Sequence, residues 1–143
     1  MRGRMADQRD TSSRGDISEI EIAAELMRAG RRVLRPLSSA SRYDLVIDNR
    51  DGTFVRVQCK TGQLRDGRIM FRVYSVSGHT TKAAPYHEEV DAFAVYCPTT
   101  RLAYLVPITA IGIRTGSVCL RVSPAKNGQR NGIHQAEPFV IAP

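Results

Sequence analysis

Residues 43–60 read Tyr43-Asp44-Leu45-Val46-Ile47-Asp48-Asn49-Arg50-Asp51-Gly52-Thr53-Phe54-Val55-Arg56-Val57-Gln58-Cys59-Lys60, and this stretch decides the fold. Its first run is rich in β-formers, and Asn49-Arg50-Asp51-Gly52 supplies the polar, glycine-ended break that a hairpin needs. The second run alternates. Successive strand side chains point to opposite sides, so Phe54, Arg56, Gln58 and Lys60 share one face while Val55, Val57 and Cys59 share the other. One face is then apolar core, and the other carries chemistry or meets solvent. Asp44 opens the hairpin and Gln58-Cys59-Lys60 ends it, an arrangement able to bring a carboxylate, an amide and an ammonium to one point. Arg56 lies on the Gln58 and Lys60 face, where it either binds phosphate or pairs with Asp48 across the hairpin.

Upstream, the spacing predicts a helix from Asp16 to Ala29, with Asp16 as N-cap, Glu19 three residues on and Gly30 as the stop. On a wheel of about 100° per residue, Ile20, Ala23, Leu26 and Met27 cluster on one side, opposite Glu21, Glu25 and Arg28. Glu19 falls on the apolar side. It either completes a capping box with Asp16 or points into a polar site in a buried wall, because an unpaired buried charge is costly. Residues 1–14 hold Arg2, Arg4, Arg9 and Arg14 without periodicity and read as a flexible basic arm ahead of one domain, residues 15–143.

Between the helix and the hairpin, Arg31 to Pro36 reads as a short strand. Downstream, Ile69 to Val76 is a third strand, and Ser77 to Pro85 a polar loop. Asp91 to Tyr96 and Leu102 to Val106 are strands joined by the turn at Cys97-Pro98-Thr99-Thr100-Arg101. Ile108 to Ile113 is a helical turn, and Val118 to Val122 a last strand. The order reads as α/β bordering on α+β, a mixed but mainly antiparallel sheet with an N-terminal helix packed on it. The loop from Pro124 to Gly132 carries Lys126, Gln129 and Arg130, a composition that suits contact with phosphates and base edges as well as plain solvation.

The ordered set of Glu19 on the first helix, Asp44 at the head of a strand and Gln58-Cys59-Lys60 on the next resembles the PD-(D/E)xK nuclease superfamily. The similarity falls in its branch around the cyanobacterial group I intron homing endonuclease. Ser41 to Asp48 and Arg56 to Thr61 look like that branch's core. Tyr86, Asp91 to Pro98, Tyr104 to Pro107 and Asn127-Gly128-Gln129 extend the likeness over most of residues 15–139. Glutamine stands at position 58 where the general motif has an acid, and the homing endonuclease branch is itself a glutamine variant.

The resemblance implies a restriction-endonuclease-like core and a Mg²⁺-dependent endonuclease acting on double-stranded DNA, with Mn²⁺ as a substitute. It also implies the roles. Asp44, Glu19, the backbone carbonyl of Cys59 and Gln58 hold the ion, and Lys60 stabilises charge at the phosphorane or positions the nucleophile. Because an amide lacks a carboxylate's charge, Gln58 predicts weaker metal affinity and more dependence on Asp44 and Glu19. A junction-resolving nuclease shares these features, as does a nuclease-derived DNA-binding module without cleavage.

Composition agrees with a polyanionic partner. The chain of 143 residues carries 21 Lys and Arg against 14 Asp and Glu, a net charge of +7. All of the basic residues except Lys60, Lys82 and Lys126 are arginine, which suits bidentate phosphate contacts, although a general arginine bias gives the same figures. Cys59, Cys97 and Cys119 lack metal-ligand or redox spacing and read as buried thiols of a reducing compartment. The basic amino terminus has no apolar segment behind it and no run is long enough to span a membrane, so the expected location is cytoplasmic, at the nucleoid. One small domain offers one active site for two strands, which implies a homo-oligomer, and the resemblance implies a homotetramer beside the simpler homodimer. His79, His87 and His134 form no recognisable cluster, and Asp91 reads as structural.

Overall fold

The hairpin forms as its pattern requires. In the computed structural model, which describes residues 3–73, 89–111, 116–123 and 134–142 (3–10 by backbone alone), strand β2 (Leu45–Asp48) runs antiparallel to β3 (Phe54–Thr61). Arg50 at φ 64° and Gly52 at φ 92° turn the chain between them. The short strand β1 (Arg32–Leu34) pairs antiparallel with β2 on its other side.

After β3 the chain leaves this sheet. Gly62 marks the crossing: a Cβ there would lie 2.5 Å from Ile69 Cγ2 and 2.8 Å from Val95 Cγ1, closer than atoms tolerate. Strands β4 (Gln63–Arg65) and β5 (Arg68–Arg72) then build a second sheet. The chain returns to the first sheet as β6 (Ala92–Cys97), which pairs parallel with β3, and β7 (Leu102–Pro107), antiparallel to β6. A single helical turn, α2 (Ile108–Ile111), leads towards β8 (Ser117–Arg121) and β9 (His134–Gln135) in the second sheet. The sheet orders are β1-β2-β3-β6-β7 and β4-β5-β8-β9.

Helix α1 (Gly3–Arg28) covers the outer face of the first sheet. It runs through the predicted boundary at Asp16. Of the arm expected at residues 1–14, residues 3–14 belong to the helix. Asp16 is an interior residue and no N-cap, which removes the capping box that would have explained Glu19. The C-terminal stop falls as expected. Gly30, at φ 80°, donates its N–H to the Met27 carbonyl (3.0 Å) and Arg31 donates to Leu26 (2.9 Å), a Schellman pair.

The buried stripe of α1 is also rotated from the wheel reading. Ser18, Ile22 and Leu26, at i, i+4 and i+8, are buried, the last two against Leu45, Ile47, Val57 and Ala94. Ile20 and Met27 are each 65% exposed. The helix touches the sheet along a narrow line, so residues on the flank of a broad apolar sector stay outside.

A larger core lies between the sheets, where Phe93, Val95, Cys97, Tyr104 and Val106 meet Ile69, Phe71, Val118 and Leu120. All six residues of β6 are buried because both of its faces are covered, which explains its unbroken apolar run. The layers are thus helix, sheet and sheet, an α+β arrangement matching a restriction-endonuclease-like fold. Among the described residues, no helix is long and apolar enough to cross a membrane. The three cysteines are free; Cys97 is buried, whereas Cys59 and Cys119 are half-buried rather than enclosed as expected.

Candidate active site

Asp44 is clamped onto β3 twice. Its backbone N–H donates to the Val57 carbonyl (2.8 Å), extending the β2–β3 ladder by one residue. Its carboxylate Oδ2 then accepts the N–H of Cys59 at 2.8 Å. A side chain replaces the backbone of β2 where the two strands part, so the carboxylate sits in the fork between them. Burial raises the Asp44 carboxyl above the ordinary range; the Cys59 N–H, Lys60 and Arg35 oppose that shift in that order.

Glu19 arrives from α1. It shares with Asp44 a polar recess of about 200 Å³, walled by Arg35, Pro36, Ser38, Ser39, Ser41 and Tyr43 among others. Burial raises its carboxyl first and the charge of Asp44 raises it further, while Arg35 lowers it. The Arg35 guanidinium Nη2 stands 3.1 Å from Glu19 Oε1. With the capping box gone, the carboxylate at position 19 is explained by this recess. One helical turn is fixed beside it by a 2.6 Å hydrogen bond between the Ser18 and Thr61 hydroxyls, which ties α1 to the end of β3.

Gln58 and Lys60 do not line the recess, yet both belong to its surroundings. Lys60 is close enough for its charge to lower the Asp44 carboxyl. The parallel register sets Gln58 beside Phe93 and Lys60 beside Val95, on the face turned to the second sheet. On that face, which was expected to carry chemistry or meet solvent, Gln58 Oε1 is buried, with no hydrogen-bond partner among the described residues. The Cys59 thiol, on the α1 side, is pushed well above its usual range by burial and then by Asp44 and Glu19, so it is no nucleophile.

Arg56 is not available to the hairpin partner expected for it. Asp48 pairs across β1–β2 with Arg32 at 3.4 Å. Arg56 makes a fork with Asp91, Nε to Oδ2 and Nη2 to Oδ1 both at 3.0 Å, and its backbone N–H adds a 2.8 Å bond to the same carboxylate. These hydrogen bonds hold the Asp91 carboxyl below the ordinary range. The pair joins the start of β6 to β3, which bears out Asp91 as structural.

Such a depressed carboxylate stabilises the fold fully above the ordinary aspartate range and loses that contribution as pH falls through its folded pKa. Asp91→Ala is therefore expected to cost about 1 kcal/mol at neutral pH, the pair being partly solvent-screened. The gap from wild type should narrow between neutral pH and a pH below the ordinary aspartate range, as the depressed carboxyl takes up its proton. Urea unfolding at both pH values checks this, and a gap that persists in acid would assign the loss to packing.

Lys126, Gln129, Arg130, Tyr86, His79 and His87 lie outside the described residues. Arg35 is the residue that sequence reasoning missed. Its signal was position: it follows β1 directly, beside the strand that Asp44 opens.

A family model described as PD-(D/E)XK endonuclease matches residues 9–142. The chain belongs to the PD-(D/E)XK endonucleases. It is therefore a nuclease, a hydrolase of phosphodiester bonds, as the resemblance implied. The structure is similar to that of the bacterial homing endonuclease I-Ssp6803I, with a TM-score of 0.71 and 20% identity, over 91% of this chain and 88% of that chain. At that identity the likeness shows the fold. No curated protein sequence matches.

PD-(D/E)XK nucleases generally use divalent metal ions. Among the described residues, no group of three or more His, Cys, Asp and Glu side chains is arranged to hold one. Two carboxylates, Asp44 and Glu19, share one recess, and the buried amide oxygen of Gln58 has no hydrogen-bond partner among the described residues. Oxygen donors of this kind suit a hard divalent cation.

Proposed function

We propose that the chain is a Mg²⁺-dependent endonuclease that hydrolyses phosphodiester bonds of double-stranded DNA, working as a homodimer or homotetramer at the nucleoid. The observation that carries this reading is the position of Asp44, held in the fork of β2 and β3 by the Cys59 N–H and sharing a recess with Glu19. Asp44, Glu19, the Cys59 carbonyl and the Gln58 amide oxygen would hold the ion. When bound, Mg²⁺, or Mn²⁺ in its place, supplies Lewis acidity and a water of lowered pKa.

The chain's own groups do the rest. Asp44 and Glu19 fix the polar centre on two different elements, a strand end and a helix. Lys60, placed on β3 between two paired strands, would stabilise the charge that develops on the phosphate oxygens. Lys126, Gln129 and Arg130 would contact the duplex away from the scissile bond. Arg56 is left out of the DNA contacts, since Asp91 already occupies its fork. Two strands need two cuts, and each copy supplies one recess, which supports an oligomer.

A plasmid-nicking assay tests the reading. Supercoiled DNA should become nicked and then linear with Mg²⁺ and stay intact in EDTA. Salt-sensitive DNA binding without metal-dependent cleavage would instead make the chain a binding module.

The amide at position 58 gives a second test. Gln58→Glu places an unpaired carboxylate where Oε1 is now buried, so the metal-free variant should lose about 1–3 kcal/mol of stability. Added Mg²⁺ should restore it and bind more tightly than to wild type. Thermal melting with and without Mg²⁺ reads both effects, and a variant that gains nothing from the ion would remove Gln58 from the ligand set.

A further inference from the structure

The two carboxylates of the recess already meet cations in the metal-free protein. Arg35 pairs with Glu19 and lowers both carboxyls, Lys60 lowers Asp44, Asp16 adds a further negative charge that raises Glu19, and Gln58 adds none where the motif it resembles has an acid. A divalent ion held by both carboxylates competes for them with these two resident cations.

The two differ in how firmly they are held. Lys60 lies inside β3, which has β2 on one side and β6 on the other. Arg35 follows the edge strand β1 and precedes Pro36, and its side chain is 73% exposed although its partner Glu19 is only 25% exposed. An ion pair this open to water contributes little, so breaking it costs little. A planar guanidinium also forks onto phosphate oxygens as readily as onto a carboxylate. The serine hydroxyls of Ser38, Ser39 and Ser41 border the same recess.

We infer that Arg35 is a displaceable counter-ion: it sits on Glu19 in the metal-free protein, gives up Glu19 to a divalent cation, and then binds a DNA phosphate beside the scissile bond. The inference rests on the nuclease reading above. Arg35 thereby acts as a positioning residue with two opposed effects. It competes with the metal in the absence of DNA and favours DNA once the metal is in place.

Opposite signs make the test sharp. Ca²⁺ alone is titrated calorimetrically into DNA-free wild type, Arg35→Ala and Arg35→Gln, and a labelled duplex is then bound in Ca²⁺ across a salt series, with thermal melting as the fold control. Both variants should bind Ca²⁺ about two- to fivefold more tightly. They should bind the duplex about three- to tenfold more weakly, with the salt slope reduced by about one.

Ca²⁺ affinity that is unchanged or weaker in both variants overturns the inference, because Arg35 then only props Glu19. Unchanged duplex affinity overturns it too, by removing the phosphate contact. Wild type that binds no Ca²⁺ at all would sink the metal reading itself. Wild type that binds the ion beside variants that behave like it sinks the Arg35 inference alone.

Discussion

Asp44→Asn should lower plasmid cleavage by at least about a thousandfold, equivalent to about 4 kcal/mol of transition-state stabilisation, while leaving the fold as stable as before. The two halves of this expectation come from different atoms. An asparagine oxygen can still accept the Cys59 N–H that now reaches Asp44 Oδ2 at 2.8 Å, so the β2–β3 fork stays closed. What disappears is the charge. Burial already disfavours the ionised carboxylate at this position, so a neutral amide should melt no lower than wild type, as residues kept for function commonly do. Single-turnover nicking at saturating Mg²⁺, beside a melting curve, measures both. A variant that cuts within tenfold of wild type would place the chemistry elsewhere, and one that unfolds would make Asp44 a structural residue. Asp44→Ala is the control: it should lose cleavage equally and lose stability as well, because the Cys59 N–H is left without its acceptor.

The hairpin was legible because its signals are local. A run of β-formers, a polar turn and a clean alternation specify β2 and β3 without help from the rest of the chain, and the same holds for β6, β7 and the Gly30 stop of α1. What the sequence hid depends on partners far away. Arg56 finds Asp91 only because β6 docks parallel to β3, a pairing set by the core between the sheets. Alternation tells which residues share a face and is silent on what surrounds them; on the face of Gln58, Phe54 is exposed while the Gln58 Oε1 atom is buried. The second sheet had one local signal that went unread: Asp66-Gly67, with φ of 51° and 71°, is a two-residue hairpin turn between β4 and β5. The start of α1 was misplaced for the opposite reason. Thr11, Ser12, Ser13 and Gly15 are weak helix formers and Asp16 is a good cap, so propensity argued for a boundary that the helix passes through. The same error made Glu19 look like half of a capping box. Once the helix is seen to begin at Gly3, its carboxylate has no local task and the recess accounts for it.

Lys60→Ala should reduce cleavage by about a hundredfold or more, and the point to settle is which of two routes the loss takes. Lys60 lowers the Asp44 carboxyl, so its removal makes Asp44 hold a proton more readily and weakens its grip on a cation. If this were the whole effect, raising Mg²⁺ would restore the rate. The expected result is different. Lys60 stands one residue beyond the Cys59 N–H that fixes Asp44, on a strand paired on both sides, and in the proposed mechanism its ammonium would be held beside the place where phosphate charge develops. Charge stabilisation at a fixed point should survive any metal concentration, and the rate at saturating Mg²⁺ should stay about a hundredfold down. Lys60→Arg keeps the charge on a longer, forked side chain and should recover part of the rate. Nicking rates measured across a Mg²⁺ series for all three proteins separate the routes. Full rescue of Lys60→Ala by metal would reduce Lys60 to a neighbour that tunes Asp44, and equal losses in the alanine and arginine variants would show that position rather than charge matters at this site.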